Sequence, residues 1–169
     1  MARCLIVGCG CRGLELTRAL REAGHAVRGT TRDSGRRAEI EAAGAEPFVG
    51  DPNRVGTLAP ALAHVGVACI LLGSATGSHE QLTALHSTRL DMLLERMLDT
   101  TVRGVVYQAA GSVDPAVLRA GAGRVRHACE RSLIPYELLT ADPAAGDAWI
   151  VDAVDAIERA LVGRDQYAR

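Results

Sequence analysis

The chain has 169 residues, of which 48% are hydrophobic and 23% are charged, and its formal net charge is -1. This length suits one domain, residues 1–169, and the composition is typical of a soluble globular protein. The charge is balanced and no basic cluster stands out, which argues against a nucleic-acid partner. The apolar run near the N terminus is too short for a signal peptide or a membrane span, so we predict a cytoplasmic protein without a membrane partner.

The basic residues, 19 in number, are all Arg, and the sequence contains no Lys. This excludes a Schiff-base lysine, a Walker-type phosphate-binding lysine and an acid–base relay through an ammonium group. The five cysteines are an odd and scattered set, which argues against a disulfide framework and fits a reducing compartment. Cys9 and Cys11 lack a second Cys or His pair at zinc spacing, so no metal site is predicted.

Apolar, β-rich runs alternate with helical patterns along the whole chain. Strands are predicted over residues 3–8, 25–31, 46–51, 66–73, 102–109 and 134–141. Helices are predicted over residues 12–23, 34–43, 54–63, 79–99, 115–132 and 146–162. Six such units with short connections predict an α/β fold with one doubly wound, Rossmann-like parallel sheet of strand order 3-2-1-4-5-6. A ligand crevice is expected at the carboxyl ends of strands 1 and 4, where the winding reverses.

The segment "GCGCRG", residues 8–13, has G-x-G-x-x-G spacing between the first predicted strand and helix. Gly8 permits the sharp turn, Gly10 lets the backbone approach a pyrophosphate, and Gly13 lets the helix pack closely on the strand. The helix N-terminus, where Cys11 and Arg12 lie, offers unpaired N–H groups and a positive dipole end to an anion. This context predicts a dinucleotide site; the alternative is a tight turn that holds no ligand.

The end of the second strand distinguishes NAD(H) from NADP(H). Thr31 stands where an NAD site has its acidic residue, Arg32 follows, and Asp33 falls beyond the strand. A guanidinium suits a 2′-phosphate, to which a hydroxyl of Thr30 or Thr31 could add a contact, and Arg12 is a second candidate. NADP(H) is therefore favoured and NAD(H) is possible. The alternative is that the basic residues of this segment form a solvated face, namely Arg32, Arg36 and Arg37.

Three further segments carry a resemblance to a known family. They are "GHAVRGTTRD" at 24–33, "GAEPFVGDPNRVGTLAPAL" at 44–62 and "GVACILLGSATG" at 66–77. The chain resembles the atypical short-chain dehydrogenases, in particular NmrA-like and epimerase/dehydratase-related NAD(P)-binding proteins. The resemblance implies that Asp51 lies beside the adenine and that Gly73 and Ser74 lie close to the ribose and pyrophosphate. Without a ligand, Asp51 would be a helix-capping or turn carboxylate.

Catalytic members of that family use a Ser or Thr after strand 5 and a Tyr-x-x-x-Lys set. Here Ala109 and Ala110 occupy the serine positions, Asp114 lies in the tyrosine region, and Lys is missing. Tyr107 belongs to the strand itself and is expected to be packed rather than catalytic. Residues 143–169 are too few for the substrate-binding lobe of extended relatives, so the resemblance predicts a chain that stops after the Rossmann domain.

The sequence thus favours a dinucleotide-binding or sensor module without the standard catalytic set. The alternative is an oxidoreductase that acts on a small substrate with another proton donor. The loops at 74–79, 109–115 and 141–147 would supply its polar groups, which are Ser112, Asp114, His79 and Asp142.

Two features leave further alternatives open. Thiols at a helix N-terminus can have a depressed pKa, so Cys9 and Cys11 could form a redox-sensitive switch. The simpler interpretation is a small Cys9 side chain between glycines and a partly buried, apolar Cys11.

The amphipathic segment 79–99 resembles the helix that pairs subunits in short-chain enzymes and predicts a homodimer. The alternative is that its leucines only cover the sheet of their own chain.

Overall fold

The computed structural model describes residues 1–163, and its centre is a six-stranded parallel sheet. In chain order the strands are β1 Arg3–Val7, β2 Ala26–Thr31, β3 Glu46–Val49, β4 Val67–Ile70, β5 Val105–Gln108 and β6 Tyr136–Leu139. Their order across the sheet is β3-β2-β1-β4-β5-β6, and every neighbouring pair is parallel. The predicted α/β class and strand order are therefore confirmed.

Helices cover both faces of the sheet. They are α1 Cys11–Glu22, α2 Arg37–Ala42, α3 His79–Leu85, α4 Thr88–Met97, α5 Pro115–Ser132 and α6 Asp147–Val162. Along β1, Cys4 and Ile6 join the core shared with α1 and α6, whereas Leu5 and Val7 join the core shared with α4 and α5. Alternate side chains of a strand point to opposite faces, so a strand buried on both sides reads as a continuous apolar run.

Two predicted helices differ from the structure. Residues 54–63 form two short 3₁₀ turns, Val55–Thr57 and Ala59–Leu62, instead of one α-helix. Gly56 lowers helix propensity there, and Pro60 has no N–H to donate. The predicted helix 79–99 is divided into α3 and α4, because Ser87 has the non-helical angles φ -128° and ψ -95°.

The apolar residues of segment 79–99 cover the sheet of their own chain. Leu85, Leu90, Leu93, Leu94 and Met97 are buried in the core. Met92 and Leu98 stay exposed on the outer side of α4. Burial within the chain therefore accounts for the leucine pattern, and the homodimer stays a prediction. Among residues 1–163, none of the helices is long and apolar enough to cross a membrane.

Candidate functional site

The loop after β1 turns sharply at Gly8, where φ is +84°. A Cβ atom at this position would lie 2.7 Å from the Leu71 carbonyl oxygen and 2.8 Å from Leu72 Cδ2. The Gly8 N–H donates to Thr30 Oγ1 at 3.1 Å. Positive φ and the close approach of the chain after β4 both require glycine here. The turn thus brings the ends of β1, β2 and β4 together.

Gly10 begins α1 without a side-chain cap. The first bond of this helix is donated by Leu14 N to Gly10 O, so the N–H groups of Cys11, Arg12 and Gly13 have no intrahelical acceptor. A Cβ atom at Gly10 would meet no atom within 4 Å. Open space therefore adjoins unpaired donors at the positive end of a helix, which is the arrangement that binds anions.

Gly13 lies one turn into α1 and faces the sheet. A Cβ atom there would be 3.3 Å from Ile6 Cγ2 and 3.2 Å from Cys9 Sγ. The absence of a side chain lets α1 pack closely on β1. The three glycines thus have the local geometry that their spacing predicts for a dinucleotide-binding loop.

A cavity of about 480 Å³ lies at the carboxyl ends of the strands, across the point where the winding reverses. This volume is within the range of small-molecule sites. The predicted site residues that line the cavity are Gly8, Gly10, Cys11, Arg12, Gly13, Thr31, Arg32 and Ser74. The structure thus brings most of the predicted site together around one space.

Asp51 and Gly73 are not among the described residues that line this cavity. The Asp51 carboxylate accepts a hydrogen bond from Asn53 N at 2.9 Å and so closes a local turn. Gly73 N donates to Gln108 Oε1 at 3.0 Å, and a Cβ atom at Gly73 would lie 2.7 Å from the Ala110 carbonyl oxygen. Both residues therefore form hydrogen bonds within the protein, next to the cavity.

One side of the cavity, next to β2, carries three arginines; we call it the basic half. Arg36 Nη1 donates to the Cys9 carbonyl at 3.1 Å, and its Nε donates to Glu39 at 2.9 Å. Arg12 pairs with Glu15 at 2.6 Å. Arg32 is exposed and forms no ion pair with any described residue. Arg32 is thus the guanidinium of the basic half that is available to an anionic ligand.

The carboxylate next to Arg32 in the chain is that of Asp33, and one of its oxygens caps a local turn. Asp33 Oδ1 accepts from Gly35 N at 2.8 Å, and this bond caps the 3₁₀ turn Ser34–Arg36. The Asp33 backbone N–H in turn donates to Thr31 Oγ1 at 3.1 Å. Asp33 thus lines the cavity and caps the turn through Oδ1.

The other side of the cavity, next to β4 and β5, is mainly apolar; we call it the apolar half. Of its lining residues, Leu71, Leu72, Ala75, Leu85 and Pro143 are apolar, whereas Ser74, Thr76 and Gln108 are polar. Gln108 was not predicted as a site residue, although it is a polar residue that ends an otherwise apolar strand on the rim of the glycine loop. A polar residue at the end of an apolar strand is the sequence signal that could have identified Gln108.

The polar groups proposed as proton donors lie elsewhere. Asp114 accepts from Ala116 N at 2.8 Å and begins α5, and Asp142 accepts from Ala144 N at 2.9 Å. His79 is exposed in the first turn of α3, and Ser112 N donates to Ser74 Oγ at 3.4 Å. Within the described part of the chain, none of these four residues lines the cavity.

Tyr107 is fully buried, as predicted, and forms a hydrogen-bonded pair with buried His86. His86 Nε2 lies 3.0 Å from the Leu72 carbonyl, and Nδ1 lies 2.7 Å from Tyr107 Oη. A carbonyl oxygen only accepts, so Nε2 carries the proton and Nδ1 accepts from the Tyr107 hydroxyl. Burial lowers the pKa of His86 and raises the pKa of Tyr107, so both stay neutral. The pair holds α3 and β5 behind the apolar half.

This pair gives the stability of the protein a dependence on pH. An unfolded histidine has a pKa of about 6.5, and the folded pKa of His86 is lower, so below that pH the unfolded chain binds a proton that the folded chain does not. The free energy of unfolding should fall as pH drops below about 6.5, with a slope of up to about 1.4 kcal/mol per pH unit. Urea unfolding of the wild type and His86→Gln between pH 5 and 8 measures this, because the variant should lose the slope. His79→Gln, at an exposed site, is the control; equal slopes for wild type and His86→Gln would contradict the assignment.

The two cysteines of the glycine loop differ in exposure. Cys9 is 1% exposed, with Sγ 2.9 Å from the position of a Cβ at Gly29. Burial raises the pKa of the Cys9 thiol, although Thr17 and Arg36 act in the opposite direction. This supports a packing role for Cys9. Cys11 is exposed, so its expected partial burial was wrong. Among residues 1–163, no cluster of His, Cys, Asp or Glu could hold a metal ion.

Comparison of the sequence with protein-family models gives no match, and comparison with curated proteins gives none. Solved structures do match. A short-chain dehydrogenase/reductase superfamily protein from Agrobacterium tumefaciens, with bound NAD, has a TM-score of 0.66 at 18% identity, over 80% of this chain and 48% of that one. Triphenylmethane reductase from Citrobacter sp., complexed with NADP(H), has a TM-score of 0.60 at 22% identity, over 80% and 48% of the two chains.

A third similar structure is a putative NAD-dependent epimerase/dehydratase from Bacillus halodurans. Its TM-score is 0.67 at 18% identity, over 85% of this chain and 71% of that one. The chain spans about half the length of the first two of these proteins. At these identities the comparison concerns the fold. The chain therefore has the Rossmann-like fold of short-chain dehydrogenase/reductase and epimerase/dehydratase structures.

Proposed function

We propose that this chain is a short-chain dehydrogenase-like protein that binds NADP(H) in the cavity beside the glycine loop. The observation that carries the proposal is the open space at Gly10, next to the unpaired N–H groups that begin α1. A pyrophosphate there would accept hydrogen bonds from these groups and lie at the positive end of the helix dipole. The similar structures that hold NAD or NADP(H) support the proposal.

A preference for NADP(H) over NAD(H) follows from the charges of the basic half. By its position at the end of β2, Thr31 stands where a ribose-binding carboxylate would be, and Asp33 caps the following turn through Oδ1. Arg32 is exposed on the cavity wall with no ion-pair partner among the described residues. A guanidinium without an ion-pair partner favours a 2′-phosphate over a 2′-hydroxyl.

Arg32→Asp should therefore weaken NADPH binding more than NADH binding. Loss of one charge-assisted contact should cost roughly 1–3 kcal/mol for NADPH and little for NADH. Fluorescence titration of both nucleotides measures the difference. Arg37→Asp is the matched control, because it makes the same change of charge at an exposed residue that does not line the cavity. Equal loss for both nucleotides, or equal effects of the two variants, would remove Arg32 from the site.

We further propose a binding or sensor role. The positions of the family's serine are Ala109 and Ala110, the tyrosine region holds the cap Asp114, and the chain has no Lys. Tyr107 is bonded to His86 and does not line the cavity. These observations support a role that does not use the family's proton relay.

A second candidate function is a reductase of small carbonyl or quinone compounds. The apolar half favours it, because its apolar side chains line the same cavity as the glycine loop. Bound NADPH would supply a hydride there. A screen of carbonyl and quinone compounds with NADPH separates the two roles. Binding without NADPH consumption supports the sensor, whereas steady consumption supports the reductase.

A further inference from the structure

We propose that Gln108 is a ligand-binding residue whose side-chain amide donates a hydrogen bond to a carbonyl oxygen on a planar ring in the apolar half. The inference rests on the proposed function, since the ring would belong either to the nicotinamide of the dinucleotide or to a small carbonyl substrate beside it. In both cases the chemistry recognised at Gln108 is the same, a neutral oxygen acceptor on an apolar ring.

The orientation of the Gln108 amide is fixed by its backbone partner. Gly73 N donates to Gln108 Oε1 at 3.0 Å. An N–H group requires an acceptor, so the oxygen of the amide faces Gly73 and the Nε2 group faces away from it. The Gln108 side chain also packs closely against Gly73 and has little freedom to rotate, because its Cγ and Cδ lie 2.9 Å from the position of a Cβ at Gly73. The Nε2 group is thus held in one direction by a buried contact.

The Nε2 group has no protein partner. Gln108 is only 4% exposed, and within residues 1–163 its Nε2 donates to no acceptor. In that same part of the chain, Trp149 Nε1 is the one fully enclosed side-chain polar atom that lacks a partner. Gln108 Nε2 is therefore not enclosed, and because Gln108 lines the cavity, this small exposed part faces the cavity. A nearly buried donor without an acceptor is uncommon in folded proteins and is satisfied by a ligand or water.

The residues of the apolar half indicate the kind of ligand. Leu71, Leu72, Ala75 and Leu85 line the same half of the cavity and offer apolar contacts to a ring, and the polar side chains beside them, Ser74 and Thr76, are neutral. None of the charged side chains of the basic half lies among them, so an anionic group has no partner here. A hydrogen bond in such an apolar space contributes more than one in water. The arrangement suits a flat, uncharged ring with one acceptor oxygen.

The test uses two variants of Gln108 and two nucleotides. Gln108→Glu keeps an oxygen for Gly73 N and, as a carboxylate, has no donor and repels a carbonyl oxygen. Gln108→Met has a similar length and removes both polar groups, and thermal unfolding of each variant shows whether it folds. NADPH is compared with 2′-phospho-ADP-ribose, which lacks the nicotinamide, and menadione is titrated into the NADP⁺ complex as the quinone probe.

If Gln108 binds the carboxamide of the nicotinamide, both variants should bind NADPH about tenfold more weakly and 2′-phospho-ADP-ribose equally well. If it binds a substrate carbonyl, NADPH binding should stay unchanged and menadione binding should weaken by about tenfold. Unchanged binding of all three ligands would overturn the inference. Equal weakening of NADPH and 2′-phospho-ADP-ribose would also overturn it, because Gln108 would then act through the loop. If the wild-type protein binds neither nucleotide, the proposed function is refuted before any variant is compared. The inference about Gln108 then fails with it.

Discussion

Gly10→Val is expected to abolish NADP(H) binding and to leave the protein folded. Gly10 has φ -81° and ψ -161°, an extended conformation that valine adopts readily, and a Cβ there meets no atom within 4 Å. The added methyl groups would fill the space beside the first N–H groups of α1, where the pyrophosphate is proposed to lie. We expect at least a hundredfold loss of affinity, about 3 kcal/mol, in a calorimetric titration with NADPH.

The control for this variant is Gly56→Val. Gly56 lies in the 3₁₀ turn Val55–Thr57, a Cβ there also meets no atom within 4 Å, and the residue does not line the cavity. It should bind NADPH like the wild type. Thermal unfolding of both variants shows that each one folds. A folded Gly10→Val protein with wild-type affinity would show that the glycine loop is only a turn.

Of the substitutions proposed here, Gly121→Ala should lower the free energy of unfolding the most. A Cβ at Gly121 would overlap Tyr107 Oη and lie 2.8 Å from Tyr107 Cζ. Tyr107 cannot move away easily, because it is fully buried and bonded to His86. Overpacking of this kind costs about 1–3 kcal/mol, and displacement of the His86 bond should add about 1 kcal/mol. Chemical unfolding measures the total.

Gly123→Ala is the matched control in the same helix. Gly123 is exposed, and a Cβ there meets no atom within 4 Å. Replacing a glycine inside an exposed helix with alanine should raise the free energy of unfolding by up to about 1 kcal/mol. The two substitutions should therefore have opposite signs. Stabilisation by both would contradict the packing of α5 on Tyr107.

The sequence predicts the sheet and the glycine loop well, because both depend on local patterns. Apolar runs at regular intervals define the strands, Gly8 provides the positive φ of the turn, and Gly13 lets α1 pack closely on β1. The break between α3 and α4 was not predicted, since it accompanies the contact of His86 with Tyr107, which is 21 residues away in the chain. Helical periodicity contains no information about such a partner.

In the candidate site, too, some features follow from local sequence and others depend on contacts between distant residues. Arg32 and Ser74 could be placed on the cavity from their positions after β2 and β4. The roles of Arg36 and Gln108 depend on single distant contacts, with the Cys9 carbonyl and with Gly73 N. Asp51, expected beside the adenine, closes a turn with Asn53, and whether it also contacts a ligand stays a prediction. Local spacing predicts which backbone surrounds the site, whereas tertiary contacts decide which side-chain atoms face it.

Calorimetric titration of the wild-type protein with NADPH, and then with NADH, tests the proposed binding most directly. We expect saturable binding of one NADPH per chain, with weaker binding of NADH. The absence of a saturable signal for either nucleotide at millimolar concentration would contradict the proposal that the glycine loop holds a dinucleotide.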